Sequence, residues 1–477
     1  MKLVFAASEA APYIKTGGLG DVAEALPAAL AKDKNTEVIV FLPYYASVKH
    51  NPNVKTEFIT SFYVTLSWRK QHIGVFKAKT RKNRPQVYFI DNEYYFGRDT
   101  IYGAADDGER FAYFSKAILQ SLCALDITPD VIHCNDWQTA LIPVFLHAFY
   151  HDRFPNVKTV FTIHNIEYQG KADPYFLGDT LGLSAAYEST LAFDGCVNFM
   201  KGAILKTDAL TTVSETYAGE IIYPYYAHGL ADVIRAHSFK LRGIVNGINT
   251  TRNDPRKDTY LNKNYGISDF EEGKAANKAF LQEKLGLARR ADVPLVAMVT
   301  RLVAHKGLDL LLARIHELMR WDIQLVIIGT GDEKYESAFA RVAEAHRDKF
   351  SFCRCFDPAL AQLTYAASDL YLMPSKSEPC GLSQLIAMRY GSVPIVNCTG
   401  GLRDTVEPFN PETGSGTGFN FQSFNADDMI GALRRCLEIY GGNKDAWRKL
   451  VKNAMKYNSS WDVPAKKYAE LYRELMK

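Results

Sequence analysis

The chain has 477 residues, 47% hydrophobic and 23% charged, a globular composition with apolar material for two or three domains rather than one. Lys plus Arg total 56 against 53 Asp plus Glu, so the net charge of +3 gives no general electrostatic reason to bind nucleic acid or an anionic membrane, and only a local anion site stays open. Eight cysteines are scattered without a Cys-x-x-Cys motif, which predicts reduced thiols and a cytoplasmic location rather than a disulfide framework or zinc site.

The first segment, Met1–Ala7, is too short for a secretory apolar region and reads as a buried strand; no stretch approaches a membrane-spanning length. Strands are then expected at Leu3–Ala6, Glu37–Phe41, Val87–Ile90, Val131–His133 and Thr159–Ile163, with helical stretches between them. Phe58–Leu66, Gln71–Ala78 and Gln86–Ile90 read instead as neighbouring strands, joined by a basic loop, Lys77–Arg84, taken as a solvated hairpin loop rather than a phosphate or glucan contact. Asn246–Gly273, rich in Asn, Asp, Lys and Gly, reads as a loop over the surface or at the domain junction. The strand series restarts at Gly243–Val245 and continues through Leu295–Thr300, Gln324–Gly329, Leu370–Met373 and Pro394–Asn397. Tyr468, Leu471, Tyr472 and Leu475 repeat at helical spacing and predict a final amphipathic helix. The alternation predicts an α/β chain with two doubly wound domains in tandem.

The candidate chemistry sits at predicted strand ends. Lys15-Thr-Gly-Gly-Leu-Gly-Asp21 precedes an alanine-rich helix, where glycine amides and a lysine can meet a phosphate; a purely structural glycine turn is the other reading. Gly18–Ala23 also fits a G-x-G-x-x-A pattern, but it lies about ten residues beyond the strand, and the second strand lacks the acid that a dinucleotide's ribose requires. His133-Cys-Asn-Asp-Trp137 and His164-Asn165 end adjacent strands and are expected to turn polar groups toward one crevice; taken alone His164 reads as a satisfied structural histidine, and the repetition at two strand ends favours the functional reading. In the second half, Arg301 and Lys306 straddle a strand-to-helix turn and can clamp a diphosphate, with a surface ion pair as the plainer alternative. Glu378 in Ser377-Glu-Pro-Cys-Gly-Leu382 can bond sugar hydroxyls, and Thr399-Gly400-Gly401 closes the next strand. Together these turns predict an anionic-ligand crevice between two domains.

These motifs, together with Asp136-Trp-Gln-Thr139, His164-Asn-Ile-Glu-Tyr-Gln-Gly170, Thr211-Thr-Val-Ser214, Asn246-Gly-Ile248, Lys306-Gly-Leu-Asp309, Glu378-Pro-Cys-Gly-Leu-Ser-Gln384 and Thr399-Gly-Gly-Leu-Arg-Asp-Thr405, resemble the bacterial glycogen synthase and plant starch synthase family over nearly the whole chain. The resemblance implies the GT-B architecture, two Rossmann-like domains facing across a crevice, spanning residues 1–242 and 243–458 with a helix at 459–477 returning to the first domain. It implies a retaining transfer of glucose from ADP-glucose to the non-reducing end of an α-1,4-glucan, with ADP released. By the same resemblance His164, Arg301, Lys306 and Glu378 form the catalytic set, and Lys15, Gly17, Gly18, Asp21, Asn246, Phe356, Gly381, Leu382, Thr399, Gly400 and Gly401 hold the donor. Asp136 and Asn165 stand on the acceptor side. No cofactor or metal is expected, since no two aspartates are separated by a single residue to bind a divalent ion.

The chain departs from the family pattern at Asn249-Thr-Thr-Arg-Asn-Asp-Pro255, where an aspartate and an Asn-Pro pair are usual, and at Glu215, where proline is usual. Both departures concern the junction and leave the catalytic set intact. The alternatives are the same chemistry with UDP-glucose or a small-sugar acceptor, an NAD(P)-linked dehydrogenase, which the misplaced glycine motif disfavours, and a silent glucan-binding homologue, which the intact Arg, Lys, Glu and His set disfavours.

Overall fold

A computed structural model describes residues 1–80, 84–98 and 100–477; the centre of the basic loop expected at Lys77–Arg84 lies outside the described residues. The chain divides into two units, Met1–Asn246 with Trp461–Lys477, and Gly247–Ser460.

The first unit is built on β1 (Lys2–Ala6), β2 (Glu37–Pro43), β3 (Thr56–Leu66), β4 (Arg69–Ala78), β5 (Gln86–Asp91), β6 (Val131–Asn135) and β7 (Lys158–Ile163). A small antiparallel sheet follows from β8 (Lys171–Ala172), β9 (Ala192–Phe193) and β10 (Cys196–Asn198), and then β11 (Ala209–Thr212) and β12 (Leu241–Gly243). The main sheet runs β12-β11-β7-β6-β1-β2-β5-β4-β3, with every neighbouring pair parallel except β5–β4 and β4–β3, because β4 alone runs the other way. Its central strands are unbroken apolar runs, such as Leu-Val-Phe-Ala in β1, because helices cover both faces. The order reverses between β1 and β6, and the carboxyl ends of these strands lead into the Lys15 loop and Asp136.

The strand expected at Gly243–Val245 is displaced. It spans Leu241–Gly243 and pairs in parallel with β11 as the last strand of the first sheet, not the first of the second. Its short run of mixed burial gave no sign of which sheet it would join. The strand Ala209–Thr212 also went unpredicted, its two threonines reading as polar although both are buried.

The helix Asp462–Leu475 belongs to this unit, burying Tyr468, Leu471 and Tyr472. Lys467 in it pairs at 2.8 Å with Glu215, the residue that stands where the family pattern has proline. Ser214 caps the helix Glu215–Glu220 through the Tyr217 amide, and an acidic first residue suits that end of the helix dipole.

The second unit carries β13 (Leu295–Val299), β14 (Gln324–Ile328), β15 (Phe350–Cys353), β16 (Leu370–Met373), β17 (Val393–Asn397) and β18 (Phe419–Phe421), all parallel, in the order β15-β14-β13-β16-β17-β18. This is the doubly wound order with its switch point between β13 and β16. Leu295–Met298, Leu325–Ile328, Leu370–Tyr371 and the helix residues Leu308, Leu311 and Ile315 form one core. Among the described residues no helix is long and apolar enough to cross a membrane.

Candidate active site

The switch point of the second unit gathers three of the expected residues. After β13 the chain runs through exposed Arg301 to Lys306, and after β16 it reaches Glu378. Gly307 is left-handed (φ 73°), and a Cβ there would lie 1.9 Å from the Pro374 carbonyl, so only glycine lets the two turns meet. Lys306 Nζ thereby stands 2.7 Å from Glu378 Oε2, which also accepts from Ser375 Oγ at 2.9 Å. Asn397 Nδ2 holds the Ser375 carbonyl at 2.8 Å. Burial would raise the Glu378 carboxyl, but the Lys306 charge, the Lys306 and Ser375 hydrogen bonds and His305 outweigh it and hold it below its usual range.

The third turn locks onto the second. Gly401 N donates to the Glu378 carbonyl at 3.1 Å, and Gly400 (φ 46°) would place a Cβ 2.1 Å from that carbonyl. Gln384 ties Cys380 and Gly381 carbonyls to Thr405 Oγ1, setting Gly381 and Leu382 at the start of the helix Ser383–Arg389. Arg301 has no side-chain partner among the described residues. Phe356, just past β15 on the carboxyl side of the same sheet, is 81% exposed and makes no ring contact among the described residues.

In the first unit, β6 and β7 place Asn135, Asp136 and His164 together. Asn135 Nδ2 donates to the Ala6 carbonyl, so its Oδ1 is the acceptor facing His164 Nε2 at 2.9 Å. The proton of a neutral His164 therefore sits on Nε2, and Nδ1 keeps a lone pair for an incoming hydroxyl. Burial pushes His164 down to about 3, so it is neutral at physiological pH. Asp136 sits at φ 55° and accepts from the His164 amide at 2.8 Å. Burial pushes its carboxyl up to about 7 against the His164 and Asn165 amide bonds, with Glu9 adding to the rise. Both side chains keep part of their surface in solvent while being ringed by protein. Asn165 turns Oδ1 back onto the Glu167 amide, leaving Nδ2 as its available group.

Two expectations are corrected by this geometry. His133 does not face the ligand side: it is fully buried, with Nδ1 2.7 Å from Tyr472 Oη and Nε2 2.6 Å from Thr162 Oγ1, because strand alternation sends it to the face covered by the last helix. The Lys15 loop is not a set of free amides, since the buried Glu9 carboxylate accepts from Thr16 N and Oγ1 and from the Gly17 and Gly20 amides. Lys15 itself pairs with Asp21 at 2.6 Å, so its charge is partly matched before any ligand arrives. Gly17 caps and Gly18 opens the helix Gly18–Leu30. Asn246 is buried, and its Oδ1 has no partner among the described residues.

Sequence reasoning missed Glu9, Ser375 and Asn397. An acid directly after the first buried strand was the one available signal for Glu9; the other two act only through residues distant in sequence.

Residues 2–236 match the family model described as the starch synthase catalytic domain, and residues 282–457 match glycosyl transferases group 1. The chain is 47% identical to the glycogen synthase of Exiguobacterium sibiricum, with 99% of each chain covered, and 44% identical to that of Ligilactobacillus salivarius, with 100% of each covered. The chain belongs to the glycogen synthase family. Its fold is similar to the catalytic domain of starch synthase IV from Arabidopsis thaliana bound to ADP and acarbose (TM-score 0.92, 34% identity, 99% of each chain). Sucrose-phosphate synthase from Thermosynechococcus elongatus shares the fold alone, at TM-score 0.62 and 18% identity over 99% of this chain and 98% of that one. The protein is a glycosyltransferase of the GT-B fold, as the motifs implied.

Proposed function

We propose that this glycogen synthase family enzyme transfers glucose from ADP-glucose to the non-reducing 4-hydroxyl of an α-1,4-glucan, keeping the anomeric configuration and releasing ADP. The Lys306–Glu378 pair at the β13/β16 switch point carries this reading, because it sets a cation and a sugar-bonding carboxylate side by side where a doubly wound sheet takes its ligand. The glycogen synthase relatives support the polymer product, and the Arabidopsis enzyme carrying ADP and acarbose supports nucleotide and glucan binding.

In this mechanism Arg301 and Lys306 stabilise the diphosphate as its charge grows, while Phe356 takes the nucleoside side. Glu378, already bonded to Lys306 and Ser375, orients the glucose hydroxyls rather than attacking carbon. Thr399, Gly400, Gly401, Gly381 and Leu382 approach the donor with backbone and small side chains. Lys15, Gly17, Gly18, Asp21 and Asn246 also serve the donor, and neutral His164 accepts a glucose hydroxyl at Nδ1. Asp136 and Asn165 meet the acceptor. The leaving diphosphate takes the acceptor's proton on the same face of the sugar, so the enzyme's work is positioning and charge stabilisation. No divalent metal is part of this mechanism.

Incorporation of labelled glucose into glycogen, compared between ADP-glucose and UDP-glucose, tests the reading. A preference for ADP-glucose is expected; a preference for UDP-glucose would replace the donor assignment.

A further inference from the structure

The first sheet ends in an unguarded edge. β3 pairs with β4 on one side, and among the described residues no backbone or side-chain group pairs with its other side between Thr60 and Leu66. Natural edge strands are usually blunted by lysine, proline or short length. Thr60-Ser-Phe-Tyr-Val-Thr-Leu66 has no charge, proline or glycine, and seven residues of β-branched, aromatic and hydroxyl side chains make a strong pairing template. The one blunting device is a bulge at Ile59, where the register shifts between Phe58 and Thr60, and it leaves the seven residues beyond it in regular pairing.

We propose that this edge pairs with β3 of a second copy, antiparallel, about a two-fold axis through Tyr63, joining two nine-stranded sheets into one. The segment is self-complementary in that register. Phe62 falls opposite Val64 of the copy on the inner face, where Val64 is already buried, and Ser61 falls opposite Thr65 on the outer face. The Tyr63 rings, each 58% exposed, meet at the axis. Aromatic with β-branched pairs and hydroxyl pairs are the favourable cross-strand combinations. The antiparallel sense also brings the end carrying Phe58, 55% exposed, to the copy's end carrying Trp68, 71% exposed. Glu57 approaches the end carrying the exposed Lys70, so opposite charges meet at both rims, while Arg69 stays with Glu109 and Asp179 of its own chain. A two-fold contact of this kind is isologous and closes, consuming both edges. Seven residues per copy bury less than the roughly 800 Å² per partner of a standard interface, so the dimer is reversible, with a dissociation constant on the order of micromolar.

Sedimentation of the full chain at about 100 µM, well above that constant, should give a species of twice the 53.5 kDa chain mass. Ser61→Lys, at an exposed position outside the catalytic and binding residues, should weaken association by about tenfold or more while leaving transfer to glycogen unchanged. Adding Thr65→Glu in the same chain should restore it, because positions 61 and 65 face each other across the axis. Under copper-phenanthroline oxidation, Tyr63→Cys should give a dimer whose linked peptides both contain position 63. Thr65→Cys should not, because the two copies of position 65 lie about 13 Å apart along the strands. A monomer at that concentration, a dimer indifferent to Ser61→Lys, or equal linking at 63 and 65 would each overturn the proposal.

Discussion

Lys306 Nζ lies 2.7 Å from Glu378 Oε2, although 72 residues separate the two in sequence. Each group restrains the other: the carboxylate stays ionised in a buried place because of the ammonium, and the ammonium is aimed by the carboxylate. Lys306→Ala and Glu378→Ala should each lower kcat by about 10² to 10³, with smaller changes in donor affinity. The double variant should lose far less than the product of the two. Lys306→Ala should also cost about 3 to 5 kcal/mol of stability by leaving a buried carboxylate unpaired, whereas the double variant recovers much of it. Steady-state kinetics and urea denaturation on all three read this out; additive losses would separate the two residues.

Lys15 enters its role already paired with Asp21. Lys15→Gln is expected to raise the KM for ADP-glucose with a smaller effect on kcat, because the residue helps to hold the donor rather than to stabilise the breaking bond. An unchanged donor KM would leave Lys15 as a partner of Asp21 alone.

The two ionisable groups at the ends of β6 and β7 are pushed in opposite senses. His164, lowered to about 3, does not change charge between pH 5 and 9, whereas Asp136, raised to about 7, does. The KM for the glucan acceptor should therefore inflect near pH 7. Asp136→Asn should abolish that inflection, and His164→Asn should lower the rate at every pH without moving it. Persistence of the inflection in Asp136→Asn would assign it elsewhere.

His133 is held neutral by burial, its value lowered from the ordinary 6.5 to about 3. As pH falls the unfolded chain takes the proton first, so the contribution is whole above about 6.5 and is lost progressively toward 3. At pH 5 the loss amounts to about 2 kcal/mol. His164 adds a loss of the same sign and Asp136 one of the opposite sign, so the comparison that isolates His133 is between wild type and His133→Asn. Denaturant titrations at pH 8 and pH 5 should show a difference in stability about 2 kcal/mol smaller in the variant.

Transfer by metal-stripped protein should persist in excess EDTA, since Arg301 and Lys306 supply the charge that a divalent ion supplies elsewhere. A modest stimulation by magnesium is compatible with this; complete loss of activity restored only by a divalent ion would overturn the side-chain clamp.

Much of the architecture was legible without coordinates. Apolar runs such as Leu295–Val299 and Leu370–Met373 encode buried parallel strands locally, because a strand covered on both faces must be apolar throughout. Turn motifs such as Lys15–Asp21 and Glu378–Gln384 are contiguous, so residue type and spacing alone could nominate them. Tertiary structure decided what no local pattern carries, namely which strand neighbours which and where each polar atom is spent. β12 joined the first sheet because its free edge met β11. Glu9 took the amides of the Lys15 loop because a carboxylate buried at a strand end must find donors. His133 was drawn into the core by Tyr472, 339 residues away, since strand alternation fixes the face a side chain takes while only packing supplies its partner.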